Sequence, residues 1–84
     1  MARRSDLEPR LLKVLDRVAE NIEQIRKERG WTQAETAERG EIDLRWYQRL
    51  ESGTHVISLE TLTRLSQLFR VDISEFFKST LKRK

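Results

Sequence analysis

The side chains best suited by type and spacing to make specific contacts are Leu44, Arg45, Gln48 and Arg49. In a helix, at roughly 100° per residue, Gln48, Arg45 and Arg49 fall about 40°, 100° and 140° from Leu44. Trp46, Leu50 and Tyr47 fall at about 200°, 240° and 300°, on the other side. One arc therefore offers two guanidiniums, an amide and a small apolar group, while the opposite arc is bulky and apolar. A guanidinium binds guanine O6 and N7 bidentately, a glutamine amide pairs with adenine, and a leucine can touch a thymine methyl. An ordinary solvated helix face carries the same residue types, so the arc gains meaning only from what holds it. Catalytic chemistry is poorly served. There is no cysteine, and the single histidine, His55, cannot build a zinc site with thiolates. No nucleophile is paired with a base, and no glycine-rich phosphate loop is present. The chain is expected not to be an enzyme and to use neither metal nor cofactor.

The four residues need a short helix with defined ends. Asp43 is a good N-cap for a helix over residues 44–52, and Gly53 closes it. Before it, Thr32 and Glu35 have capping-box spacing for a helix lasting to about Arg39, with Gly40 and Glu41 as the turn. A longer first helix is expected over residues 7–29. Leu11, Leu15, Val18, Ile22 and Ile25 form its apolar stripe, Ser5 and Glu8 cap it, and Gly30 ends it. Pro9 is tolerated in the first turn. Residues 54–57 read as a loop. Ser58 caps a fourth helix whose buried side is Leu59, Leu62, Leu65, Leu68 and Phe69. Asp72 and Glu75 cap a fifth carrying Phe76, Phe77 and Leu81. With three glycines, one proline and no alternating pattern, the fold class is all-α; no repeat or low-complexity segment is present.

Two short helices joined by a tight turn over residues 32–53 have the dimensions of a helix-turn-helix. Arg26, Gly30, Thr32-Gln33, Ala37, Arg49-Leu50-Glu51, Gly53 and Ser58-Leu59-Glu60-Thr61-Leu62 stand at fixed offsets. In these residues the chain resembles the Cro/repressor-type (XRE-like) helix-turn-helix regulators of bacteria and phages, over about residues 18–77. The resemblance implies a five-helix, lambda-repressor-like DNA-binding domain, here with an extended first helix, acting as a dimer on DNA. It implies that residues 44–52 form the recognition helix, with Leu44, Arg45, Gln48 and Arg49 reading bases. Gln33 would touch a phosphate at a helix N-terminus, a position that attracts anions. The Thr32 hydroxyl could cap and bind phosphate alike, and Ser52, Thr54 and His55 follow the recognition helix within reach of the backbone. Arg26 and Glu51 would form a partly buried ion pair between the first and recognition helices.

Three features depart from the family pattern. The turn usually holds a large apolar residue followed by glycine, but here Gly40 precedes Glu41, so either Glu41 is strained or Gly40 takes the left-handed conformation. Thr36 stands where leucine is common, and Trp46 and Tyr47 are expected to fill the missing volume. Residues 31–53 hold three basic and five acidic groups, so groove binding must rely on the local placement of Arg39, Arg45 and Arg49 and on the basic ends.

Those ends dominate the charge pattern. Residues 1–17 are net +2 (five basic, three acidic) and residues 54–84 net +3 (six basic, three acidic), against a total of +3. A polyanion is a natural partner. Residues 1–17 are expected to extend the first helix and pack on the domain, contact a second copy, or offer Arg3 and Arg4 to DNA. Residues 78–84 form a basic tail with Lys78, Lys82, Arg83 and Lys84. Eighty-four residues, 37% of them hydrophobic, allow one small core, and a dimer partner would add to it. Phe76, Phe77 and Leu81 are expected mostly in the core and are also the best candidates for that contact. No apolar run approaches a membrane span, and no secretory signal is expected. The expectation is a cytoplasmic homodimer, nucleoid-associated when bound to double-stranded DNA, with a regulatory protein as a further partner. The alternative is a protein-interaction or antitoxin-type module built on the same fold.

Overall fold

The computed structural model describes residues 4–79. Arg3, Leu81 and the tail cations Lys82, Arg83 and Lys84 lie outside the described residues. A short 3-10 turn, Arg4–Asp6, leads into four α-helices: α1 Pro9–Glu28, α2 Gln33–Gly40, α3 Leu44–Ser52 and α4 Leu59–Phe69. A second 3-10 segment, Ile73–Phe77, follows. The described residues contain no strand.

Proline sets the start of α1. Ser5 lies inside the 3-10 turn, so the expected Ser5 cap does not form. Pro9 forces the residue before it out of the helical region, and Glu8 sits extended at φ −62° and ψ 136°. Glu8 is itself the N-cap, its carboxylate accepting from the Leu11 N–H at 3.2 Å. Leu15, Val18, Ile22 and Ile25 of the expected stripe are buried together with Ala19, and Leu11 is half-buried at the rim. Thr32 and Glu35 form a complete capping box at α2, and Asp43 and Ser58 cap α3 and α4.

Two departures are corrections. The expected fifth α-helix is the five-residue 3-10 segment, with the Asp72 carboxylate accepting from the Ser74 N–H at 2.9 Å. Asn21, fully buried on α1, anchors its end. Its Nδ2 donates to the carbonyls of Phe76 at 2.9 Å and Lys78 at 2.7 Å, so residues 76–78 are tied to α1. Leu59 is not part of the buried side. It is 72% exposed at the first position of α4, one turn before Leu62, where the core ends. Leu62, Leu65 and Phe69 are buried and Leu68 is half-buried. Phe76 is fully buried against Phe69, with ring centroids 6.5 Å apart, which removes it from any dimer contact. Phe77 remains exposed.

The α2–α3 turn divides its labour between two residues. Glu41 takes the left-handed conformation at φ 53°, which costs a non-glycine residue about 1 kcal/mol. Gly40 stays helical because space requires it. A Cβ there would lie 3.0 Å from Leu68 Cδ2 and 3.1 Å from Ile42 Cδ1. The α2 end is then held by Ile42 N–H donating to the Ala37 carbonyl at 2.8 Å and by Arg64 donating to the Gly40 carbonyl at 3.0 Å. Gly40→Ala should therefore overpack the α2–α4 contact and cost about 1–3 kcal/mol, whereas Glu41→Gly should gain up to about 1 kcal/mol, as read by urea denaturation.

Candidate nucleic-acid interface

Capping at both ends fixes the limits of α3. The Asp43 carboxylate accepts from the Trp46 N–H at 3.1 Å, and Gly53 closes the helix at φ 73°. The inward arc contains Tyr47 and Leu50, both 0% exposed, with Trp46 half-buried at its edge. Tyr47 joins the buried core cluster with Ala37 of α2, and Thr36 is itself buried. Trp46 fills less than expected and packs edge-on against His55 at 5.7 Å. On the outward arc Leu44, Arg45, Gln48 and Arg49 are all exposed.

Behind that arc lies a buried ion pair. Arg26 Nε donates to Glu51 Oε2 at 2.6 Å and Nη2 to Oε1 at 3.1 Å, a bidentate pair whose side chains are 10% and 4% exposed. Arg26 Nη1 also donates to the Trp31 carbonyl at 2.8 Å. One guanidinium thus ties the end of α1 to the entry of α2 and to α3. The Glu51 contact raises the Arg26 pKa above its already high ordinary value. The Tyr47 phenol is pushed far above the ordinary tyrosine range, first by burial and then by the neighbouring Glu51 carboxylate.

A relay of amides carries this order to the surface. Gln33 Nε2 donates to Glu51 Oε1 at 2.9 Å, and Gln48 Nε2 donates to Gln33 Oε1 at 3.3 Å. Gln33 is therefore half-buried between the ion pair and the outward α3 arc rather than a free surface amide. Thr32 is committed to the capping box, accepting from the Glu35 N–H at 3.0 Å. In return its own N–H donates to Glu35 and holds that carboxyl below the usual carboxylate range.

Ser52, Thr54 and His55 are brought together beyond α3. Ser52 Oγ donates to the Arg49 carbonyl at 2.7 Å, the Ser52 and Thr54 hydroxyls lie 2.7 Å apart, and Thr54 Oγ1 lies 2.8 Å from His55 Nδ1. Arg4 joins them. It donates to the Gly53 carbonyl at 2.5 Å and to Asp16 at 2.8 Å, so the N-terminal segment packs on the end of α3. Sequence reasoning left Arg4 as one of several options, because a contact across 49 positions has no local signal. Arg39, in contrast, is drawn off the α3 arc. Its guanidinium lies over the Trp31 ring, 4.5 Å from the centroid.

Residues 22–76 match the helix-turn-helix family. No curated protein matches the chain. Among solved structures, the chain is similar to the crystal structure of a hypothetical transcription factor, NHTF, from Neisseria. The TM-score is 0.76 at 20% identity, over 83% of this chain and 80% of that one. At that identity the likeness is one of fold.

Removing Glu51 leaves Arg26 buried without its carboxylate and frees Gln33. Glu51→Ala should cost about 3–5 kcal/mol, a large share of a small domain's stability, and lower nucleic-acid affinity in parallel. Unchanged melting would refute the role given to the pair. Tyr47 predicts a separate alkaline effect. Its folded pKa is raised, so the neutral phenol's stabilising share is complete below the ordinary value of 10.0 and is lost as pH rises beyond it. Urea melts should show Tyr47→Phe losing less stability than the parent between about pH 9 and 11.

Proposed function

The chain belongs to the Cro/repressor-type helix-turn-helix family, and from that premise we propose a sequence-specific, non-enzymatic regulator of transcription that binds a pseudo-palindromic operator as a homodimer. One observation carries the reading. Leu44, Arg45, Gln48 and Arg49 share the outward face of α3 while Tyr47 and Leu50 on the other face are completely buried. The helix can thus enter a major groove without exposing its core side.

The roles follow from chemistry at each position. Arg45 and Arg49 present guanidiniums for guanine edges, Leu44 an apolar contact for a thymine methyl, and Gln48 an amide whose Nε2 is already engaged by Gln33. That engagement uses one of the two Nε2 hydrogens and leaves the other as a donor and the Gln48 carbonyl oxygen as an acceptor for a base edge. Thr32, Gln33 and the Ser52–Thr54–His55 cluster flank the arc at the start of α2 and the end of α3, where phosphates of the two groove walls would pass. Residues 1–17 act in this reading as an extension that steadies the end of α3 through Arg4, and the basic residues 78–84 add sequence-independent attraction. Two copies would place their recognition helices about 34 Å apart, one helical turn of DNA.

Selection from a random duplex library at two salt concentrations tests the proposal. A two-fold symmetric motif should emerge, with affinity falling steeply with salt. Arg49→Ala should then cost about 1–3 kcal/mol on the selected duplex and relax preference at one position of each half-site. If Arg45→Ala and Arg49→Ala both leave affinity and motif intact, the face is not a DNA reader.

A further inference from the structure

A concave surface lies between α2 and the end of α4. It is a cleft of about 490 Å³ lined by Arg29, Trp31, Arg39, Leu68, Phe69 and Arg70. Three guanidiniums surround an aromatic and aliphatic floor. Trp31 stacks on Phe69 with centroids 5.9 Å apart and the planes 29° from parallel. Two of the arginines are held in place. Arg29 donates to the Phe69 carbonyl through Nε at 3.1 Å and Nη2 at 2.5 Å, and Arg39 rests over Trp31. Among the described residues, none of the three forms an ion pair with a carboxylate. The carboxylate one turn before Arg39, Glu35, hydrogen-bonds the Thr32 N–H and acts on Arg39 only through space, without an ion-pair contact.

Arg70 adds an independent sign. It follows α4 in the left-handed conformation at φ 57°, where glycine is the unstrained choice. The chain carries an exposed cation there at a cost of about 1 kcal/mol. That cation points to a use outside the fold.

We infer that this cleft docks an acidic segment of a partner protein, with an apolar side chain on Trp31 and Leu68 and carboxylates on Arg29, Arg39 and Arg70. Tryptophan and arginine are the residues in which binding energy concentrates at protein interfaces. Prefixed guanidiniums lower the ordering cost of capture. A DNA backbone suits the site less well, because it brings no apolar group to the floor. Arg39 also stands about 120° around α2 from Gln33, which touches the α3 arc. The inference does not depend on the DNA reading. A regulator of this size would gain from it a site for recruitment or control separate from base recognition.

The test uses the full chain labelled with nitrogen-15 and a nine-residue peptide of alternating glutamate and leucine with a central phenylalanine. Saturable shifts of the Trp31 indole N–H and the Arg70 amide are expected below about 1 mM peptide, with the α3 amides unmoved. Replacing the glutamates by glutamine should abolish them. Arg70→Gly should weaken binding about tenfold, the loss of one charged hydrogen bond, while the protein melts no lower than the parent. Overturning results are no saturable shift at Trp31, shifts confined to α3 or the tail, or undiminished binding by Arg70→Gly. A DNA duplex that moves the Trp31 resonance as strongly as the peptide would assign the cleft to nucleic acid and also defeat the inference.

Discussion

The Glu51 carboxylate, 4% exposed in its side chain, is the constraint around which the rest is arranged. A carboxylate at that depth is tolerable only with its lone pairs answered, and each answer comes from a different element. Arg26 brings α1, and Gln33 brings the first residue of α2. Because α3 is only nine residues long, its propensity alone could not hold it helical. Its stability is borrowed from burial of Tyr47 and Leu50 and from this pair. A hydrophobic replacement of similar shape could stabilise such a site as well, so the pair is better understood as fixing register. It sets how far α3 is rotated, and hence which side chains stand outward. The Glu51–Gln33–Gln48 relay extends that control from the interior to an exposed amide.

Short helices also make the ends decisive. Thr32, Asp43 and Ser58 each accept from a backbone N–H within the first turn of the helix that follows, which satisfies donors that would otherwise be orphaned. At the opposite ends the chain twice accepts a left-handed residue that is not glycine, Glu41 and Arg70. At the first of these the reason is local. Glycine is spent on position 40, where a Cβ would crowd the Leu68 and Ile42 side chains, and position 41 must make the turn with what remains. The α2–α4 approach therefore takes precedence over turn comfort, and the placement of α3 follows from it.

Much of this was legible in the sequence because it is local. Capping spacings, the stripe on α1 and the division of α3 into two arcs depend on neighbours within a turn or two. Features governed by distant residues were less accessible. The end of the 3-10 segment 73–77 is held by Asn21, more than fifty positions away, whose amide has the local signature of any polar residue on an amphipathic helix. Leu59 fits the periodicity of α4, but it lies past the end of the core, and periodicity carries no information on where a neighbour stops. Position 5 has the right spacing for a cap, yet the backbone restriction imposed by Pro9 overrides it. Arg39 was grouped with the groove cations by charge alone, and the Trp31 ring claims it instead. For the candidate site, the residue types and their shared face were readable, whereas the Gln33 relay and the Arg4 contact required the tertiary arrangement.

The charge pattern is consistent with such an arrangement of labour. The helix-turn-helix segment, residues 31–53, carries more acidic than basic groups, so attraction to a polyanion must be focused through two arginines on one helix and through the chain ends. Recognition then depends on geometry more than on bulk charge. The most direct measurement is a dimethyl sulfate footprint on a library-selected duplex, which reads guanine N7 in the major groove and adenine N3 in the minor groove. Protection of guanine N7 in two clusters about 10 base pairs apart is the predicted result. Protection limited to adenine N3, or a weak and even attenuation along the duplex, would contradict the assignment of α3 to the major groove.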